Sequence, residues 1–199
     1  MSKVIDYYLT LISPWTYLGS QRLAEIAARH GAEVRVTPVN FGEVFPRTGG
    51  LPLAKRAPER QAYRMMELKR WRKHLDIPIN LEPKFFPAND RLAACMVLAA
   101  AETGGKPLEL AQAFGKAVWE QERDIADEDT CKAIAQETGH DAEALLAKAQ
   151  EEATQKRYDK QTEDAIARGV FGAPSYVYKD EIFWGQDRLD FLDRALSEG

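Results

Sequence analysis

The sequence predicts an α/β protein in which a long block of helices interrupts a small sheet. Three observations lead to this fold class. Residues 1–40 show strand, helix and strand patterns in turn, residues 41–168 show a loop and then almost only helical patterns, and residues 169–199 show two strands and a helix. A β-α-β start implies a parallel strand pair with a right-handed crossover. We therefore expect the helices to be inserted between two halves of one sheet.

Composition places the chain among soluble globular proteins. It has 199 residues, of which 45% are hydrophobic and 29% are charged, and a net charge of -4 with both signs mixed along the chain. It has neither the basic stripe of a nucleic-acid-binding surface nor the run of about 20 apolar residues that crosses a bilayer. The N-terminus enters a strand pattern without the layout of a signal peptide. We therefore expect a cytoplasmic protein with no nucleic-acid or membrane partner.

The first half of the sheet follows from alternation and spacing. Residues 4–11 are rich in β-branched and aromatic side chains, which favours a strand. Residues 16–30 carry apolar side chains at helical spacing and end at Gly31, and residues 34–39 alternate as a second strand. Residues 40–57 contain three glycines and two prolines and have no periodicity, so we expect a loop there.

The middle of the chain is a succession of helical patterns separated by proline, glycine and capping residues. Asn89 or Asp90 is expected to cap an apolar helix, and Asp127 and Asp141 are expected to cap later ones. The expected helices cover residues 58–75, 91–103, 107–121, 128–138 and, in two parts, 142–168.

The C-terminal part predicts the second half of the sheet. Residues 175–184 read as two short strands joined by a turn, and an amphipathic helix follows. Without the helical block, this order of elements is that of thioredoxin. We therefore expect residues 1–40 and 169–199 to form a thioredoxin-like domain in two halves. Residues 41–168 would form a connecting loop and an inserted helical domain.

The most informative short segment is Ser13-Pro14, where the first strand pattern stops and a helix begins. Proline is tolerated in the first turn of a helix because its missing N–H has no partner there. Unpaired N–H groups and the positive end of the helix dipole meet at Ser13, which suits a phosphate, a carboxylate or a thiolate. Ser13 as a simple helix cap is the alternative interpretation.

Thioredoxin-like folds begin this helix with C-x-x-C, whereas Ser13 and Thr16 occupy the two cysteine positions here. Hydroxyls cannot exchange disulfides, so we do not expect a dithiol oxidoreductase. A hydroxyl can instead donate a hydrogen bond to the thiolate of another molecule, and a helix N-terminus lowers a thiol pKa. Glutathione is the obvious cellular thiol.

Cys95 and Cys131 lie far apart in helical patterns and are expected to be buried free thiols. The three histidines share no ligand-like spacing with either cysteine, so no metal site is expected.

Four sequence blocks make the chain resemble the 2-hydroxychromene-2-carboxylate isomerases and the kappa-class glutathione transferases, which have a DsbA-like thioredoxin fold. The likeness extends over nearly the whole chain. The blocks are Ser13-Pro14-Trp15, Phe86-Pro87-x-Asn89, the stretch GVFGAP at 169–174, and FWGQDR at 183–188.

The resemblance implies a role for each residue of a glutathione site. Ser13 would bond the sulfur, and Ala173 would pair its backbone with the cysteinyl unit beside a cis Pro174. The γ-glutamyl end would lie on a segment of four residues. These are Trp184, Gly185, Gln186 and Asp187.

The resemblance implies that the 40–57 segment meets both the other end of glutathione, where Gly50 would bind, and the second substrate. The family has Gly-Asn where this chain has Gly49-Gly50, so Gly50 would offer only backbone contact. Arg60 corresponds to a basic family residue, with Lys55 as an alternative. Phe45 and Asn89 would complete a pocket for an aromatic acid.

The implied activity is cis–trans isomerisation of 2-hydroxychromene-2-carboxylate-like acids, by reversible addition of the glutathione thiolate to an unsaturated ketone. A kappa-type transferase would use the same thiolate on another electrophile. A module that binds peptides or partners without catalysis is the alternative of another class. The family likeness also suggests a homodimer.

Overall fold

The structure is a computed structural model that describes residues 2–199. Its four strands form one mixed sheet in the order β2-β1-β3-β4. The strands are β1 (Val4–Leu9), β2 (Glu33–Pro38), β3 (Ser175–Tyr178) and β4 (Glu181–Trp184). The helices are α1 (Pro14–His30), α2 (Phe41–Thr48), α3 (Pro58–Leu75), α4 (Arg91–Glu102), α5 (Pro107–Trp119), α6 (Glu128–Glu137), α7 (Ala142–Gln150), α8 (Glu152–Ala167) and α9 (Leu189–Glu198), with 3-10 turns at Leu53–Lys55 and Gln186–Arg188.

The register of the sheet brings distant parts of the chain together at one end of the strands. β1 runs parallel to β2, and β3 runs antiparallel to both β1 and β4. Ser175, the first residue of β3, lies opposite Tyr8 of β1 and Trp184 of β4. The end of β1, the start of β3 and the end of β4 therefore lie side by side. This arrangement confirms the predicted thioredoxin-like fold with inserted helices.

The prediction of a loop over residues 40–57 was wrong for its first part, which forms α2. Asn40 caps this helix, because its Oδ1 accepts a hydrogen bond from Gly42 N at 3.0 Å. Phe41 and Val44 face the core, one turn apart. The glycine and proline signals concealed this spacing, and Pro46 lies within the eight-residue helix.

The capping predictions hold for the later helices. Asp127 accepts from Thr130 N at 2.8 Å and Asp141 from Ala144 N at 3.1 Å. At the start of α4 it is Asn89 whose Oδ1 accepts from Arg91 N, at 3.2 Å. The Asp90 carboxylate makes no such cap.

Apolar side chains bury both faces of the sheet. Tyr7 belongs to a large cluster that unites β1 with α1 and the inserted helices, including Leu98 and Phe114. Its neighbour Tyr8 points to the opposite face, into a smaller cluster that includes Phe41. The large cluster includes residues of the thioredoxin-like part and of the helical part. The division of the chain into two domains stays a prediction.

None of the helices among the described residues combines the length and the apolar character needed to cross a membrane.

Candidate active site

Ser13 sits at the junction of β1 and α1, in the position expected of a helix N-cap. Its backbone is extended, with φ -79° and ψ 125°, and the residue is 9% exposed. Its Oγ accepts a hydrogen bond from Thr16 N at 3.2 Å. Within residues 2–199 the Ser13 hydroxyl proton has no acceptor, so this hydroxyl can still donate. Ser13 is thus a cap and a free donor together.

The turn that leads into Ser13 is held by a carboxylate from α4. The Oδ2 atom of Asp90 accepts from Thr10 Oγ1 at 2.6 Å and from Leu11 N at 3.0 Å. Ser13 N closes the turn by donating to Thr10 O at 3.2 Å. Burial raises the pKa of Asp90, and the bonds from Thr10 and Leu11 oppose that rise. Sequence reasoning missed Asp90 and Thr10, because the contact joins positions 80 residues apart.

The Ala173-Pro174 peptide is cis, as the resemblance implied. It directly precedes β3, whose first residue pairs with Tyr8, so it lies beside the Thr10–Ser13 turn. The Ala173 N–H and carbonyl make no hydrogen bond within residues 2–199. An extended peptide could therefore pair with this backbone. The structure also contains a second cis bond, Phe86-Pro87, which the sequence analysis did not anticipate.

The 184–187 segment is tied to the same place. Gly185 N donates to Pro174 O at 2.8 Å, which brings the end of β4 against the cis bond. Gly185 has a φ of +98°, and a side chain there would meet Asp187 Oδ1 at 2.5 Å. The Trp184 ring covers Gly172 and is 51% exposed. Ser13, Pro174 and this segment are therefore brought together.

The side chains of Gln186 and Asp187 differ in accessibility. Gln186 is 2% exposed, and its Oε1 accepts from Arg22 Nη1 at 3.0 Å, so its side chain fastens the segment to α1. Asp187 is partly exposed and pairs with its neighbour Arg188 at 2.9 Å. Of these two, Asp187 has the carboxylate that an incoming ammonium group can reach.

Two tyrosines underlie this segment on the α1 side of the sheet. Tyr7 and Tyr176 stack with ring centroids 5.2 Å apart, and neither hydroxyl has a hydrogen-bond partner within the described residues. Burial raises the pKa of both hydroxyls above the ordinary tyrosine value. They are therefore neutral, enclosed groups rather than proton donors to solvent.

Phe45 and Gly50 pack against each other at the end of α2. Gly50 N donates to Phe45 O at 2.9 Å, and a Cβ at residue 50 would meet Phe45 Cδ1 at 2.5 Å. The missing asparagine at this position is consistent with the contact, because a side chain here would displace the Phe45 ring.

The remaining substrate candidates are exposed. Lys55, Arg60 and Asn89 lie on the surface, and the Asn89 side chain accepts a hydrogen bond from Arg91 N, the first N–H of α4. Two other arginines, Arg56 and Arg64, are half-buried instead. The sequence analysis did not select Arg56 or Arg64. Arg64 lies four residues after the predicted Arg60, and this spacing puts Arg60 and Arg64 on one face of α3.

The two cysteines take no part in this site. Both are free and fully buried, as expected. Burial raises the pKa of Cys95 to about 11 and that of Cys131 to about 12, so neither forms a thiolate at neutral pH. Residues 2–199 hold no cluster of three or more His, Cys, Asp or Glu side chains arranged to bind a metal ion.

The sheet order and the hydroxyl at the start of α1 define a protein of the thioredoxin fold that lacks a redox-active dithiol. The chain belongs to the DSBA-like thioredoxin domain family, whose model matches residues 4–197. The DsbA-like thioredoxin fold that the four sequence blocks implied is thereby confirmed.

The relatives include named enzymes. The chain is 33% identical to a 2-hydroxychromene-2-carboxylate isomerase of Sphingobium xenophagum, over 98% of this chain and 99% of that one. It is 25% identical to glutathione S-transferase kappa 1 of Homo sapiens, over 100% of this chain and 92% of that one. A solved structure of a 2-hydroxychromene-2-carboxylate isomerase superposes with a TM-score of 0.85 at 28% identity, covering 98% and 95% of the two chains. These relatives place the chain with enzymes rather than with non-catalytic binding modules.

Proposed function

We propose that this protein is a glutathione-dependent isomerase acting on aromatic acids of the 2-hydroxychromene-2-carboxylate type. The observation that carries the proposal is the Ser13 hydroxyl, a free donor at a helix N-terminus beside the cis Ala173-Pro174 bond. The similar isomerases and the kappa-class transferase support it by their names. A kappa-type transfer reaction at the same site is the related outcome.

The residues present fit the sulfur, the cysteinyl unit and the γ-glutamyl end of glutathione. The Ser13 hydroxyl would face the sulfur, and the unpaired backbone of Ala173 would bond the cysteinyl unit. The Asp187 carboxylate would receive the γ-glutamyl ammonium, with Trp184 and Gly185 beside it. The Gln186 side chain is engaged by Arg22, so we assign it a supporting role in shaping this segment.

Glutathione, when bound, supplies a thiolate that can add reversibly to a conjugated double bond. The chain would favour that ionised form in two ways. Ser13 donates a charge-assisted hydrogen bond, and the N-terminus of α1 adds the favourable end of its dipole. Phe45 and Asn89 would line the pocket for the aromatic acid, and Arg60 or Lys55 would supply a basic side chain beside it.

The proposal assigns the protein to the cytoplasm, where reduced glutathione is maintained. Dimerisation remains a proposal from the family likeness alone.

Replacing Ser13 by Ala tests the proposal. A hydrogen bond to a charged group contributes about 1.5–3 kcal/mol, and one pKa unit corresponds to about 1.4 kcal/mol. We therefore expect the pKa of the bound glutathione thiol to rise by about one to two units in Ser13→Ala. Thiolate absorbance, titrated with saturating glutathione, measures the change.

Ser20→Ala is the matched control, because the Ser20 hydroxyl lies in the same helix and donates to Tyr17 O at 3.1 Å. It should leave the titration unchanged. Calorimetry that detects no glutathione binding at millimolar ligand, with the protein folded, would contradict the proposal. An unchanged thiol pKa in Ser13→Ala would remove Ser13 from the mechanism.

A further inference from the structure

Arg64, on the first half of α3, is a half-buried cation that has no anionic partner among residues 2–199. Its guanidinium lies 5.7 Å from the centroid of the Phe86 ring. Its only polar contact is a long one, from Nη1 to the thioether of Met65 at 3.8 Å, and within residues 2–199 it forms no salt bridge. Burial, and then the charge of Arg56, lowers the pKa of Arg64. The guanidinium is therefore partly desolvated and uncompensated.

Arg56, which directly follows the 3-10 turn Leu53–Lys55, is a second cation that lies over an aromatic ring. Its guanidinium lies 6.0 Å from the centroid of the Phe45 ring, and its Nε donates to Leu51 O at 2.8 Å. It too has no salt bridge within the described part of the chain. The charge of Arg56 contributes to the lowered pKa of Arg64, so an anion bound at Arg64 would be attracted by both cations.

Arg64 and the Ser13 turn both contact the 86–90 segment. Phe86, under the Arg64 guanidinium, precedes Asp90 by four residues. The Asp90 carboxylate bonds Thr10 and Leu11, in the turn that ends at Ser13. Arg64 therefore contacts the segment whose Asp90 side chain bonds the Ser13 turn.

We propose that Arg64, with Arg56, forms the specificity-determining site that binds the carboxylate of an aromatic acid, whose ring lies against Phe86 and Phe45. This inference rests on the proposed function for the nature of the substrate and assigns its carboxylate to residues outside the sequence-predicted set. Arg64 has the geometry for the bond, because a guanidinium can pair with a carboxylate through two parallel hydrogen bonds. Phe86 supplies a flat apolar surface beside Arg64, and Phe45 supplies one beside Arg56.

Direct binding without glutathione tests the inference separately from the Ser13 chemistry. The probes are 2-naphthoate and 2-naphthamide, which share a ring system and differ in charge. Calorimetry should show that Arg64→Gln weakens 2-naphthoate binding about tenfold or more, because a hydrogen bond to a charged group is lost. Binding of 2-naphthamide should change by less than about twofold. Arg64→Lys keeps the positive charge but cannot form two parallel hydrogen bonds, so its affinity for 2-naphthoate should be intermediate.

Arg70→Gln is the matched control, because Arg70 lies on the same helix but is paired with Glu67 and exposed. It should leave both affinities unchanged, and circular dichroism should show all variants folded. Equal losses for acid and amide, or a naphthoate affinity unaffected by Arg64→Gln, would overturn the inference. Wild-type protein that prefers the amide would also overturn it. Failure of glutathione binding leaves these measurements intact, so the two proposals fail separately.

Discussion

Asp90 shows how one side chain can shape the Ser13 turn from another element. Its carboxylate accepts hydrogen bonds from Thr10 and Leu11, while burial raises the pKa of Asp90. The sequence could place an acidic residue near the start of α4, but a local rule assigned it to capping. The side chain turns instead toward a strand end 80 residues away, which spacing along the chain cannot reveal.

The raised pKa of Asp90 predicts a pH effect on stability. A carboxyl whose folded pKa exceeds its unfolded value favours folding most at low pH, and this contribution is lost as pH rises through the folded pKa. Asp90→Asn keeps an acceptor for Thr10 and Leu11 but cannot ionise. Relative to Asp90→Asn, the wild type should therefore lose unfolding free energy as pH increases from about 4 toward neutrality. Urea titrations at a series of pH values measure this difference, and parallel profiles for the two proteins would contradict it.

Helix α1 approaches the sheet more closely than its apolar pattern alone requires, because of Gly19. A Cβ at residue 19 would lie 2.7 Å from Gln186 Cβ and 2.9 Å from the Tyr176 hydroxyl. The absence of a side chain thus lets α1 contact the segment that we assign to the γ-glutamyl end. The sequence shows a glycine inside a helical pattern, but not what packs against it.

Replacing Gly19 by Ala is expected to destabilise the protein by about 1–3 kcal/mol, because the added methyl overpacks a tight contact. It should also weaken glutathione binding, since Gln186 must shift. Gly115→Ala is the control: this glycine is also helical, but its nearest neighbour is Tyr17 Cδ2 at an ordinary 3.6 Å. That variant should be neutral or slightly stabilised, as helix propensity dictates. Urea unfolding and calorimetry compare the two, and equal behaviour would refute the close-contact explanation.

In the whole molecule, the two halves of the sheet are far apart in sequence but meet at one end of the strands. The candidate site lies at this end. The strand and helix patterns were sufficient to predict this architecture, because each strand is short and is bounded by clear turn signals. Helix α2 was missed, since Gly42, Pro46 and the two glycines after the helix are typical of a loop. Arg56 and Arg64 were also missed, because a surface charge and a desolvated one look alike in a sequence.

Glutathione that binds at this end of the strands should stabilise the entire fold. A ligand at 100 times its dissociation constant adds about 2.7 kcal/mol, which corresponds to a rise in Tm of about 5–10 °C for a chain of this size. The control ligand γ-glutamyl-alanyl-glycine lacks the sulfur and should give a smaller shift. Scanning calorimetry measures both shifts, and equal shifts would contradict a contact between Ser13 and the sulfur.

The enclosure of Cys95 and Cys131 has a consequence for labelling. Both thiols are buried and protonated at neutral pH, so maleimides and iodoacetamide should leave the folded protein unmodified. A cysteine placed on the surface, for example Ser197→Cys on the exposed side of α9, would then be the sole reactive position. Single-site attachment of a fluorophore becomes feasible without first removing the native cysteines.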